Sequence, residues 1–391
     1  MARLTHEELE KIKVKYNTER LWSWSRMSTY MTSKYEYLLK YILKIPEDRC
    51  DSCYTTLGTI CHDTLEKFYE GKIKYEDMID DYYDGYTTAI TIADLKFNRS
   101  DEEKNKSIGD KYNENLIHFF QNHTKYEHKI LVEKPIVVNI NGYVFVGYID
   151  GLYKNGEGYY HILDFKSSSI YTGKKLAQNS GQLILYSIGL HQMGIPLHMI
   201  KPQFNFLKYC TVRQELKNGT IKYRNLQRSE IGEKLQSNAK TWLKHFGYEP
   251  DEYLKKLLDT NSIACLPEEV RKKYEITDCH VDVELTEETV KYWTDFITTT
   301  LKDIELRESD YSETKSDKCF WDDEEGIKEQ EYYYANLCAY SINKLLPYKA
   351  YLDRLEASKN GDIFGNVGIA TSSNVINNKS DEVDLSWLND I

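Results

Sequence analysis

Gly147-Tyr148-Ile149-Asp150-Gly151, followed after a turn by Ile162-Leu163-Asp164-Phe165-Lys166, is the stretch from which the architecture is read. In a strand alternate side chains share a face, so Asp164 and Lys166 point the same way, roughly 6.5–7 Å apart, with Leu163 and Phe165 on the opposite, buried face. A carboxylate and an ammonium at the end of an apolar strand are costly if merely buried. They are accounted for if Asp164 binds a divalent cation and Lys166 meets a water or a phosphate oxygen. Taken alone, D-x-K reads equally well as a strand-end ion pair. Asp150 shifts the balance, because it ends the preceding strand and a hairpin sets it beside Asp164. Two carboxylates in close approach need a proton or a cation between them, and hard oxygen ligands select magnesium or manganese.

Working outward, Ile130 to Ile140 is rich in β-formers, Asn141-Gly142 is a hairpin signal, and Tyr143 to Ile149 returns as a strand. A third run, Tyr159 to Lys166, follows the turn Asn155-Gly156-Glu157-Gly158. Lys174 to Met193 has helical periodicity and Met199 to Tyr209 reads as one more strand. Upstream, Leu21 to Lys44 and Thr55 to Tyr69 read as helices. Residues 72 to 127 read as a polar helical insertion anchored by Tyr82, Tyr83 and Tyr86. Downstream of Tyr209 the chain is mainly helical, notably Glu284 to Glu305. The expectation is an α/β fold in one domain over 1–355, helical in 17–127, with its sheet in 128–210 and mainly helical in 211–355. Residues 356–391 lack periodicity and are expected to form a disordered acidic tail.

His62 lies in Gly58-Thr59-Ile60-Cys61-His62, and Glu66 four residues on projects from the same helix face. Imidazole beside carboxylates is a reasonable third ligand, although a lone helical histidine is more often structural. A zinc protease is not indicated, since no second histidine stands at i+4. Gln182 and Tyr186, also at i and i+4, suit phosphate or base contacts, or else sit at the edge of an amphipathic helix.

The ordered set of a glycine-preceded helix with His, then GxxD, D-x-K and Q-xxx-Y resembles the RecB-like branch of the PD-(D/E)XK nuclease superfamily. That branch includes helicase–nuclease subunits, CRISPR-adaptation nucleases and phage end-processing nucleases. The resemblance runs from about Trp22 to Tyr209. It implies a restriction-endonuclease-like core, a central mixed sheet flanked by helices, with helical insertions and a helical C-terminal part. It also implies that His62, Asp150, Asp164 and the Phe165 carbonyl hold a magnesium or manganese ion. Lys166 would orient water and stabilise the phosphate, and Gln182 and Tyr186 would hold the DNA strand. The activity implied is a metal-dependent deoxyribonuclease, more an exonuclease on single-stranded or duplex ends than an endonuclease, in recombination, repair or phage DNA metabolism. The alternative is a DNA- or partner-binding module with a nuclease fold and little turnover.

Some relatives carry an iron–sulfur cluster held by four cysteines. Here Tyr30 to Tyr35 has no cysteine, Asp322 stands where Cys319 would need a CxxC partner, and Cys338 is alone. Two thiolates cannot supply four ligands, so no cluster is expected, and tyrosine and apolar packing should pin the C-terminal segment. Gly151 replaces an arginine frequent in relatives. Cys50, Cys53, Cys279 and His280 are a weaker alternative for zinc.

The formal net charge of −11 argues against broad nonspecific coating of nucleic acid but not against one local basic channel. Lys174, Lys175, Lys201, Lys208, Arg213, Lys222, Arg224 and Arg228 are candidates to line it, most of them expected to be ordinary solvated surface. Scattered cysteines read as reduced thiols. With no apolar run of about 18 residues and no signal-peptide core, the expected place is the cytoplasm, a host's if the gene is viral, with no membrane partner. No GxxxxGK[ST] loop is present, so any helicase is a separate chain. Asp381–Ile391, acidic with Trp387 and Leu388 as anchors, reads either as a recruitment peptide for a helicase, single-strand-binding or recombination protein, or as a solubilising terminus.

Overall fold

In the computed structural model, which describes residues 3–359, Asn141 and Gly142 adopt φ of 51° and 94°. This is the double left-handed turn whose twist suits a two-residue hairpin. It joins β2 (Leu131–Ile140) to β3 (Tyr143–Lys154), paired antiparallel from Ile140↔Tyr143 to Leu131↔Leu152. The second turn also forms: Asn155 Oδ1 accepts from the amides of Glu157 and Tyr159 at 3.1 and 2.9 Å, and β4 (Tyr160–Lys166) returns antiparallel to β3. Strand β3 is longer than its sequence suggests, so Asp150 lies within it.

Among the described residues the sheet has seven strands. β1 (Leu21–Trp22) pairs parallel to β3 on the edge that β4 later occupies. β5 (Ile200–Glu215) runs parallel to β4, its far half pairs with β6 (Ile221–Gln227), and β7 (Tyr274–Asp282) pairs with it from Gln203 to Gln214 across an irregular stretch. The sheet therefore reaches well beyond residues 128–210. β6 and β7 escape a search for apolar alternation because they are polar stretches paired to a long, already anchored strand.

Helices cover both faces. They are α1 (His6–Tyr16), α2 (Trp24–Thr32), α3 (Lys34–Tyr37), α4 (Cys53–Tyr69), α5 (Met78–Thr87), α6 (Glu102–Asn122), α7 (Gly173–Asn179), α8 (Gly181–Gln192), α9 (Ile231–His245), α10 (Pro250–Thr260), α11 (Glu268–Arg271), α12 (Glu287–Thr314), α13 (Glu324–Glu329) and α14 (Leu346–Lys359). Ile162, Phe204 and Phe206 pack on one face with Leu183, Ile184 and Ile297 from α8 and α12. Leu163, Phe165 and Leu207 pack on the other with Leu57, Cys61, Leu65 and Phe119 from α4 and α6. Each such fully buried side chain contributes about 1.5–3 kcal/mol, so β4, apolar on both faces up to Asp164, is among the best-anchored strands. Of the tyrosines expected to anchor the insertion, Tyr82 is buried, whereas Tyr83 is half exposed.

The single helix expected over Leu21–Lys44 is broken. Leu21–Trp22 is strand, and Ser33 is extended (φ −152°) between α2 and α3. The break is held by Asp322, which accepts from Ser33 Oγ at 3.0 Å, the Lys34 amide at 2.9 Å and the Tyr334 hydroxyl at 3.0 Å. The expected tyrosine packing of the C-terminal segment is present: Tyr334 stacks on Tyr348, Tyr340 donates to the Ile45 carbonyl, and the Tyr333 hydroxyl meets Glu36. Residues 356–359, assigned from sequence to the tail, continue α14. The rest of that tail, with Asp381–Ile391, lies outside the described residues. Among the described residues no helix is long and apolar enough to cross a membrane.

Candidate metal centre

Gly58 and His62, one turn apart on α4, face the end of β4: a Cβ at Gly58 would stand 3.9 Å from Ser167 Oγ, and His62 Nε2 lies 2.8 Å from the Phe165 carbonyl oxygen. The Phe165 amide donates to Asp150 Oδ2 at 2.9 Å, and that same oxygen is 3.6 Å from His62 Nδ1. One peptide residue of β4 thus orients both an imidazole and a carboxylate.

A third acid enters from β2. Glu133 is bracketed by the pairs Val132↔Gly151 and Lys134↔Ile149, which sets it across from Asp150, and its φ of 49° is left-handed. His62, Glu133 and Asp150 offer ligand atoms all within 4.8 Å of one another, and no other such cluster of His, Cys, Asp and Glu exists among the described residues. Glu133 did not emerge from the sequence; its signal was the Glu133-Lys134 interruption of an otherwise apolar β run. Burial, then the neighbouring Asp150 charge, push its carboxyl up to about 7, with Glu66 adding to the rise and His62 opposing it.

Asp164 belongs to the same electrostatic site but is turned differently. Its Oδ1 is 2.6 Å from Lys166 Nζ, and its Oδ2 is buried with no hydrogen-bond partner among the described residues. Burial pushes the Asp164 carboxyl up to about 6, Lys166 opposes that, and the Asp150 charge reinforces it. Burial also works against the Lys166 ammonium, but Asp164 and Asp150 outweigh it and hold it charged above its ordinary range. Lys166 is therefore a donor cation.

Gln182 Nε2 donates to the Tyr186 hydroxyl at 3.1 Å, and Tyr186 lies over β3 where a Cβ on Gly147 would come within 2.5 Å of its ring. Only glycine there admits the tyrosine, whose buried hydroxyl feels the charges of Asp150 and Asp164. Lys174 and Lys175 are exposed on α7, Lys175 over the Tyr171 ring, with no contact to the cluster. Arg228 is corrected outright: it is buried and paired to Asp278 at 2.5 Å, so it lines no surface channel. Gly151 is buried, and a Cβ there would meet Leu163 at 3.2 Å, leaving little room for a larger residue. Cys50, Cys53, Cys279 and His280 do not form a metal-holding group; the His280 ring is engaged by the Tyr126 hydroxyl at 2.6 Å.

A sequence model of the PD-(D/E)XK nuclease superfamily matches residues 21–319. The chain belongs to this superfamily. No curated protein matches the chain. Membership implies a metal-dependent nuclease, and the mixed sheet flanked by helices is the α/β core such nucleases share. The residues fit a divalent cation: carboxylate oxygens, a main-chain carbonyl and an imidazole converge, and Asp164 Oδ2 has no hydrogen-bond partner among the described residues. His62 Nε2 lies at hydrogen-bond distance from the Phe165 oxygen, which leaves Nδ1, 3.6 Å from Asp150 Oδ2, as the nitrogen turned toward the acids.

Proposed function

We propose that the protein is a magnesium- or manganese-dependent deoxyribonuclease of the RecB-like branch, acting as an exonuclease on DNA ends in recombination, repair or phage DNA metabolism. The observation that carries this reading is the convergence of His62, Glu133 and Asp150 around the backbone of Phe165, beside the Asp164–Lys166 pair. His62, Asp150, Asp164 and the Phe165 carbonyl would hold the ion, and Glu133 would add a ligand or a charge-balancing acid. When bound, such an ion neutralises the scissile phosphate and acidifies a coordinated water.

The chain's own groups do the rest. Lys166, kept protonated, donates to the incoming water or to a non-bridging phosphate oxygen as negative charge accumulates. Water oxygen bonds to phosphorus, the bond to the 3′-oxygen breaks, and the products are a 5′-phosphate and a 3′-hydroxyl. Tyr186, locked over Gly147, and Gln182 would hold the strand or its terminus, and it is the Q-xxx-Y element that makes action on ends the favoured reading. Lys174 and Lys175 add a diffuse attraction for the backbone.

The test is degradation of end-labelled single and double strands in magnesium, manganese or chelator, with a covalently closed single-stranded circle alongside. Cleavage of linear DNA, abolished by chelator and by Asp164→Ala or Lys166→Ala, is expected. Activity retained in either variant removes the assignment, and rapid cutting of the circle removes the exonuclease reading.

A further inference from the structure

Strand β5 leaves regular pairing with β7 between Asn205↔His280 and Cys210↔Asp278, and bulges of this kind re-aim side chains. Within the irregular stretch, Lys208 reaches the helix side of the sheet, where its ammonium sits 5.0 Å from the ring centroid of Tyr112 on α6. Tyr112 is almost wholly buried, and its hydroxyl lies toward Cys61 and Ser167.

Buried cations elsewhere come with their acids. Lys166 has Asp164, Arg228 has Asp278, and Arg99 has Asp51. Lys208, half-buried, forms no ion pair or hydrogen bond through its ammonium among the described residues. The charge acting on it is that of another cation, Lys111, itself held by Glu230 at 2.5 Å. Burial lowers the Lys208 ammonium to about 8; Cys61 opposes this and Lys111 adds to it. A cation in such a place, with no acid beside it, is stabilised when an anion arrives to share the site.

The location names the anion. Ser167 follows Lys166 directly, and Gly58, facing Ser167 Oγ, stands one turn of α4 before His62. The Ser167–Tyr112–Lys208 group therefore adjoins the metal centre along the continuation of β4. We propose that Lys208, with the Ser167 and Tyr112 hydroxyls, forms an anion subsite that takes the strand phosphate next to the scissile one. This rests on the nuclease reading above. One ammonium and two hydroxyls match the charge and donor needs of a single phosphodiester.

The experiment measures binding of a fluorescent single-stranded oligonucleotide to the full chain in calcium, for wild type, Lys208→Met and Lys208→Arg, across a salt series. Each is repeated with a neutral methylphosphonate at the linkage beside the cleavage position mapped in manganese. Lys208→Met should weaken binding about ten-fold and lower the salt slope by roughly one, Lys208→Arg should restore most of both, and the methylphosphonate should penalise wild type but not Lys208→Met. In parallel, Lys208→Met should melt at a higher temperature than wild type, since it removes a half-buried charge with no acid beside it, and inorganic phosphate should raise the melting temperature of wild type only. Equal affinity and slope in wild type and Lys208→Met, or a methylphosphonate penalty that persists in Lys208→Met, overturns the subsite while wild-type cleavage leaves the nuclease reading standing. A wild-type chain that cleaves no DNA in manganese overturns both.

Discussion

His62 Nε2 stands 2.8 Å from the carbonyl oxygen of Phe165, whose own amide donates to Asp150. The ring is thus held by the backbone of the strand that carries the D-x-K sequence. Removing the ring deletes one ligand and the clamp on β4 together. His62→Ala should weaken manganese affinity at least about ten-fold, read by calorimetric titration of the folded protein. Unchanged affinity would take the imidazole out of the centre.

Glu133 is crowded by Asp150 and Glu66, and its carboxyl is held up near neutrality by burial and the Asp150 charge. Glu133→Gln keeps the shape and removes the like-charge conflict. The variant should be as stable as wild type or slightly more so, while manganese affinity falls by about ten-fold. Thermal melts with and without manganese separate the two effects: the metal-induced rise in melting temperature should shrink in the variant. A full metal-induced rise would make Glu133 a bystander.

What was legible in the sequence was local. Asn141-Gly142 carries its own turn chemistry, and the 164/166 spacing puts acid and lysine on one face whatever surrounds them. What was hidden depends on distant partners. Glu133 becomes part of the site only through register with Asp150 and a left-handed φ. Leu21–Trp22 is strand because Val144 and Phe145 pair with it, and helical spacing in the following residues masks it. Ser33 breaks its helix because Asp322, from the far end of the chain, caps the next one. Arg228 looks like a surface base until Asp278 on β7 buries it.

Gly147 is required by packing. A methyl group there would come within 2.5 Å of a Tyr186 ring that is itself buried. Gly147→Ala should cost about 1–3 kcal/mol by overpacking and displace Tyr186 from the strand above the acids. Urea unfolding gives the first quantity, and the cleavage rate of a labelled strand gives the second. A variant with wild-type stability would show that Tyr186 is free to move.

His118 supplies a stability switch remote from the metal centre. Arg228 Nη1 lies 3.5 Å from His118 Nδ1, so the ring faces a guanidinium with its lone pair and resists protonation. Burial, and then Arg228, lower it from 6.5 to about 4. The unfolded chain therefore binds a proton between those two values that the folded chain refuses. Stability is full above about pH 6.5 and falls as pH drops toward 4. At pH 5 the histidine accounts for about 1–2 kcal/mol of that loss. His118→Asn retains an acceptor for Arg228 and cannot titrate, so the drop in urea midpoint between pH 7.5 and pH 5 should be smaller than in wild type. Equal drops in the two proteins would show that other groups, among them the Asp278 carboxylate paired to Arg228 and His123, carry the acid sensitivity.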